Sequence, residues 1–212
     1  DVYKRQGSVF KAQPAAAADR RPTKLQWTRE DDIRGGYYRP IVAHRVRGAM
    51  DREGNLLGWD QTIAAQPFSP KKTEGIDFTI VEGADNLAYA TSNLRVSQHL
   101  MQTGVPTLWW RSVGHTHTGF AVEAFIDQIL ESAGQDAVAG RLALLKDKPR
   151  HRGVLERAAA IANWGRAPAE GTAFGVAVHE SFGSFVAQIV EIEVAERPVE
   201  RPKVRNVWCA VD

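Results

Sequence analysis

The chain has 212 residues, 43% of them apolar, enough to bury a substantial core as one or two domains. A net charge of +2, without a basic block interleaved with aromatics, gives no nucleic-acid signature. The single cysteine, Cys209, excludes an internal disulfide, and no apolar run approaches the roughly 18 residues of a membrane span.

Residues 7–22, alanine-rich before Pro22, read as a linker or helix remnant. Thr23 to Thr28 alternates and reads as a strand ending at Trp27, and Thr28 with Asp31 is a capping-box start for a short acidic turn. Arg29-Glu30-Asp31-Asp32 reads as solvated. Ile41–Met50 and Leu56–Ala65 alternate on either side of Asp51-Arg52-Glu53-Gly54-Asn55, which predicts a hairpin. Residues 66–88, with Pro67, Pro70 and Lys71-Lys72, read as loop. Asn93–Leu100 alternates again, with Leu94, Val96 and Leu100 on one side.

Helical periodicity follows. Val122, Phe125, Ile126, Ile129 and Leu130 share a face that Gly134 ends. A second helix starts after Asp136 and carries Leu142, Leu144 and Leu145. A third runs from about Gly153 to Trp164, with Val154, Leu155, Ala158 and Ile161 inward. Strands return at Gly175–Glu180, Phe185–Val194 and Lys203–Val211, with an exposed turn at 196–202. Strands, a helical block and more strands make an α+β chain, with antiparallel or mixed strands flanking about three helices. Cys209 reads as a small buried residue of an apolar strand, and the Lys146-Asp147-Lys148-Pro149-Arg150 cluster as solvated surface.

Trp109-Trp110-Arg111-Ser112-Val113-Gly114-His115-Thr116-His117-Thr118 is the densest polar segment, and it stands just before the first long helix. The first N–H groups of a helix lack internal partners, so donors crowded there either cap the helix or hold an anion. The guanidinium of Arg111 adds a planar fork suited to phosphate or carboxylate. Trp109-Trp110 reads as a core or interface anchor. His115-x-His117 offers two imidazoles, but no further ligands are spaced to complete a metal site. His179-Glu180-Ser181-Phe182-Gly183-Ser184 has a nucleophilic flavour, yet Ser181 lacks the glycine before it that a nucleophile elbow requires. Two alternatives remain open from residues alone: a binding module facing a protein partner, and a hydrolase using Ser181 and His179.

The segment Trp110-Arg111-Ser112-Val113-Gly114-His115, with Thr118, Phe120, Glu123 and Phe125-Ile126-Asp127, resembles the molybdenum-binding large subunits of the xanthine dehydrogenase and aldehyde oxidase superfamily. The isoquinoline 1-oxidoreductase beta-subunit branch is the most similar. Lys24–Asp32, Tyr38-Arg39-Pro40, Asn93-Leu94-Arg95-Val96, Val178–Ser184 with Val186-Ala187-Gln188, and Cys209–Asp212 carry the resemblance in the same order. It implies an enzyme that oxidatively hydroxylates an N-heteroaromatic or aldehyde. Molybdopterin cytosine dinucleotide is the implied cofactor, and an iron–sulfur small subunit the implied electron-accepting partner. No four-cysteine set for such clusters occurs here.

The resemblance places Arg111, Ser112, Val113, Gly114 and His117 at the cofactor, and the His179–Ser184 loop in the wall around it. The catalytic glutamate is expected outside this chain, and no residue here is assigned as catalytic. Better-known relatives carry glycine, proline and glutamine where this chain has His115, Thr116 and His117, so the resemblance implies either that His117 takes the glutamine's place or that the pocket differs. The expected organisation is an adapter-like sequence at residues 1–6, the linker, the first part of the molybdopterin-binding region at 23–135, and a helical segment opening a strand-rich region at 136–212. The chain is expected to be an interior piece of a longer gene; no compartment follows from it.

Overall fold

A computed structural model describes residues 24, 26–68, 74–194 and 201–212, without the side chain of Asp32. The linker, the adapter-like start, Pro70, Lys71-Lys72 and most of the expected turn at 196–202 lie outside them. The expected strand at Thr23–Thr28 is absent from its described part: Lys24 and Gln26–Thr28 are irregular and pair with no strand. Thr28 instead caps helix α1 (Arg29–Gly35), its hydroxyl and the Asp31 carboxylate closing a reciprocal capping box.

The hairpin forms as expected. Strands β1 (Val42–Met50) and β2 (Leu56–Ala65) run antiparallel around Asp51–Asn55. A short helix, α2 (Phe78–Val81), interrupts the expected loop, and β3 (Leu94–Leu100) then pairs parallel with β2. Val96 and Leu100 pack against a small core of Ile63, Ala65, Phe68, Ile80, Val81 and Ala84, but Leu94 is exposed.

The helical block contains α3 (His115–Ser132), α4 (Ala137–Leu144) and α5 (Pro149–Ala162). Asp136 caps α4 by accepting from the amides of Val138 and Ala139, and Pro149 opens α5 one turn earlier than its apolar stripe suggests. Val154, Leu155 and Ala158 are buried, whereas Ile161 is 40% exposed because the helix turns it away from the sheet. Helix α3 lies close against β1: a Cβ on Gly48 would come within 2.8 Å of Ile129 Cδ1.

A second sheet, the antiparallel meander β4 (Thr172–Ser181), β5 (Ser184–Glu193) and β6 (Lys203–Val211), covers the other side of the helices. Phe182 and Gly183 both take positive φ (52° and 80°), as a two-residue hairpin turn requires. The main core joins Leu56 and Trp59 of the first sheet to Ile126 and Leu130 of α3, Leu155 of α5, and Val178, Ala187 and Ile189 of the second sheet. Antiparallel and parallel pairings around three long helices make this an α+β fold with mixed strands. Cys209 is exposed, correcting the expected burial: in β6 it faces away from the helices, while Ala210 turns inward. Arg150 is not simply solvated either; it pairs with Asp212 at 2.6 Å and stacks 4.1 Å over the Phe185 ring.

Candidate functional site

The polar segment is a tight turn whose backbone is held from two directions. Ser112 and Val113 both adopt left-handed backbone (φ 62° and 43°), a conformation that costs a β-branched residue about 1–3 kcal/mol. Arg39 offsets that strain. Its guanidinium donates to the Arg111 carbonyl at 2.9 Å and to the Val113 carbonyl at 3.1 Å, clamping both sides of the strained pair. The Val113 side chain packs into the small core under β2 and β3.

Glu82 holds the turn from the opposite side. Its carboxylate accepts from the Gly114 amide at 2.7 Å, and its carbonyl accepts from the buried Thr118 hydroxyl at 2.8 Å. Gly114 has no room for a side chain, because a Cβ would lie 2.3 Å from the Thr79 carbonyl oxygen. The helix also begins earlier than its apolar face. His115, Thr116, His117 and Thr118 form the first turn of α3 rather than the approach to it. Of the two readings of the crowded donors, the capping one holds at Gly114, where the chain's own carboxylate takes the amide.

Arg111 is exposed, and its guanidinium meets no carboxylate among the described residues. The Ser112 hydroxyl bonds the Arg111 carbonyl at 2.6 Å and meets the Thr116 hydroxyl at 2.5 Å. The two histidines turn to different partners. His117 Nδ1 lies 3.0 Å from His44 Nε2 on β1, and His115 Nδ1 lies 2.9 Å from His179 Nε2 on β4. They do not converge on one point, and no group of three or more potential ligands is assembled among the described residues.

Behind His44 the hydrogen bonding continues into the core. Gln61 Nε2 lies 3.0 Å from His44 Nδ1, and the Trp59 indole N–H donates to Gln61 Oε1 at 3.0 Å. Gln61 is fully buried. His117 Nε2 is buried and without a partner. Burial, reinforced by His44, Arg39 and His115, lowers the His117 pKa to about 4, and burial with His115 lowers that of His179 to about 4. Burial lowers His44 as well.

His179 leads to a cleft of about 320 Å³ bordered also by Gly83, Tyr89, Glu123, Arg150 and His151. With its Nε2 occupied by His115, His179 makes no hydrogen bond to Ser181, so the pair is not assembled as nucleophile and base. Beneath the cleft, Glu123 accepts from the Tyr89 hydroxyl at 2.7 Å, Arg141 Nε at 3.1 Å and the Val178 amide at 2.9 Å. Arg39, Gln61, His44, Glu82 and Arg141 were not legible as site-building residues. Each acts across a long sequence separation, and only the resemblance pointed near Arg39.

Residues 6–143 match the molybdopterin cofactor-binding domain family. Over 217 aligned residues the chain is 28% identical to the isoquinoline 1-oxidoreductase subunit beta of Brevundimonas diminuta, covering 97% of this chain and 28% of that protein. It is 29% identical over 196 residues to the membrane-bound aldehyde dehydrogenase (pyrroloquinoline-quinone) of Gluconacetobacter polyoxogenes, covering 77% of this chain and 25% of that protein. The fold is shared with quinoline 2-oxidoreductase from Pseudomonas putida 86 (TM-score 0.56, 15% identity, 77% of this chain and 23% of that one). It is shared too with the aldehyde oxidoreductase of Desulfovibrio desulfuricans (TM-score 0.55, 19% identity, 81% and 20%). The chain spans under a third of the length of the curated relatives it matches. The match takes in β1 to β3, the doubly clamped turn and most of α4: the chain belongs to the molybdopterin cofactor-binding domain family.

Proposed function

We propose that this chain forms part of the molybdopterin cradle in the large subunit of a molybdenum hydroxylase. The complete enzyme would oxidatively hydroxylate an N-heteroaromatic or aldehyde substrate and pass electrons to an iron–sulfur small subunit. The cytosine dinucleotide form of the cofactor is part of this proposal. The observation that carries the reading is the turn Arg111–Gly114, strained in its backbone and clamped by Arg39 and Glu82, beside a buried His117 Nε2 with no partner.

These residues fit a polyanionic cofactor by the chemistry of their donors. Among the described residues Arg111 has a guanidinium free of carboxylate partners, Ser112 and Thr116 add hydroxyls, and His117 adds a ring nitrogen with no partner of its own. Val113 and Gly114 contribute shape, one anchored in the core and the other admitting no side chain. When bound, the molybdenum centre supplies the two-electron redox chemistry. The chain's own residues orient it and hold donors fixed, so that little reorganisation is needed during reaction.

The test uses the complete protein that carries this chain, produced with molybdenum. Molybdenum and pterin per polypeptide are measured by mass spectrometry and pterin fluorescence, and turnover with quinoline, isoquinoline and aldehydes. Arg111→Ala should lower cofactor content or turnover about tenfold or more, as expected for a lost charge-assisted bond worth roughly 1.5–3 kcal/mol. Arg52→Ala, on the exposed hairpin turn, should change neither. Wild-type molybdenum content and rate in Arg111→Ala would refute the assignment of this turn.

A further inference from the structure

We infer that Gln61 and His44 are positioning residues: a one-way chain of hydrogen bonds starting at the Trp59 indole fixes His117 as the tautomer whose Nε2 carries the proton. The chain is directed because its first member can only donate. An indole has an N–H and no acceptor, so the atom 3.0 Å from Trp59 Nε1 must be the Gln61 amide oxygen. That orientation turns the amide nitrogen of Gln61 toward His44. An amide nitrogen only donates, so His44 Nδ1, 3.0 Å away, must accept.

A neutral imidazole that accepts at one nitrogen carries its proton on the other. His44 Nε2 therefore donates to His117 Nδ1 across 3.0 Å. The same rule applied once more puts the His117 proton on Nε2. That nitrogen is closed off from bulk solvent and has no partner among the described residues. The sequence Trp59, Gln61, His44, His117 thus ends on a buried neutral donor that meets no acceptor among the described residues.

Two consequences follow. His117 is not available as a metal ligand, since Nδ1 spends its lone pair on His44 and Nε2 holds a proton. Its complement would be an oxygen that only accepts, of the kind the proposed cofactor offers. This last step rests on the proposed cofactor reading. The direction of the relay does not.

The experiment separates the two. In the chain labelled with 15N-histidine, long-range nitrogen–proton correlation distinguishes protonated from unprotonated ring nitrogens. At neutral pH, His44 and His117 should each show a proton on Nε2 alone. Gln61→Met keeps the volume but removes the direction, so both rings should then average over two tautomers, while His99 and His151 keep their wild-type signals and report the fold. A wild-type His117 protonated on Nδ1 overturns the inference, and so does an unchanged tautomer in folded Gln61→Met. If that variant fails to fold, the wild-type assignment alone decides. If the predicted tautomers are found but Gln61→Met leaves the molybdenum content of the complete protein untouched, the relay stands and the cofactor reading fails.

Discussion

Replacing Arg141 with Met should be among the most damaging single changes in the chain. Arg141 is 0% exposed and holds helix α4 to α3 and, through Glu123, to β4. Its Nε donates to Glu123 Oε2 at 3.1 Å, its Nη2 to the Glu123 carbonyl at 3.1 Å, and its Nη1 to the Ala137 carbonyl at 3.0 Å. Nη1 also lies 2.6 Å from Asp127 Oδ1, a charge contact whose angle falls short of a hydrogen bond. Burial opposes the Arg141 charge, but Tyr89, Glu123 and Asp127 together hold its pKa above the ordinary value. For Glu123 burial dominates and raises the pKa, against the pull of Arg141 and the donors from Val178 and Tyr89.

Methionine matches the arginine stem but leaves Glu123 as a buried charge without its cation. Breaking such a pair from one side costs about 3–5 kcal/mol, a large share of the 5–15 kcal/mol that holds a typical domain. Equilibrium urea unfolding followed by circular dichroism would measure it. The deficit should shrink at mildly acidic pH. Without Arg141 the folded pKa of Glu123 rises further above its unfolded value, so the folded state takes up the proton and escapes the penalty there, while the penalty is full at alkaline pH. Adding Glu123→Gln should recover part of the loss, because the amide oxygen still accepts from Tyr89 or Val178. A loss below about 1 kcal/mol, or strict additivity in the double variant, would refute the account of this hub.

Arg39→Ala should free the strained Ser112–Val113 pair and lower cofactor content nearly as much as Arg111→Ala, although Arg39 is expected to contact only carbonyls of the turn; metal analysis beside Arg52→Ala checks this. Stability should fall as the medium is acidified from the ordinary histidine value of 6.5 toward about 4. Between those values the unfolded chain binds protons that native His117 and His179 refuse, a loss on the order of 3 kcal/mol for His117 when complete. Urea midpoints across that range would show it, and a flat profile would contradict the burial of the rings. Cys209, exposed on β6, should react with a thiol reagent in the native protein at close to the rate of a free thiol; protection until unfolding would restore the buried reading.

What the residues revealed and what they concealed divides along physical lines. The hairpin β1–β2, the faces of α3 and α5 and the Asp136 cap were legible because each depends on residues within a turn or two. The parallel pairing of β3 was not, since alternation reads alike in either direction. Alternation also overstated Thr23–Thr28, whose described residues pair with no strand, and Cys209, where period two says which residues share a face but not which face is covered. The start of α3 was read late because its first turn buries His115 and Thr118, polar residues that a hydrophobic pattern skips. The turn 111–114 stood out by composition, but nothing local showed that Arg39, more than seventy residues earlier, grips it.

The departure of this chain from the glycine–proline–glutamine pattern then acquires a physical sense. His115 and His117 are not two isolated replacements, because each meets a second histidine on a different sheet: His179 on β4 and His44 on β1. The first turn of α3 is thereby stitched to both sheets by imidazole pairs that hold only while one ring of each pair can accept. Putting a proton on both rings of either pair would set two cations within hydrogen-bond distance in a half-buried setting, where their repulsion is poorly screened. The bonds that orient the proposed cofactor turn are thus open to attack by acid. At the Glu123–Arg141 hub further along α3 burial raises the carboxyl pKa, so acid discharges Glu123 too, but Arg141 stays charged and still donates to the carbonyls of Glu123 and Ala137. Acid should therefore loosen the start of α3 before it melts the core that the rest of that helix helps to build.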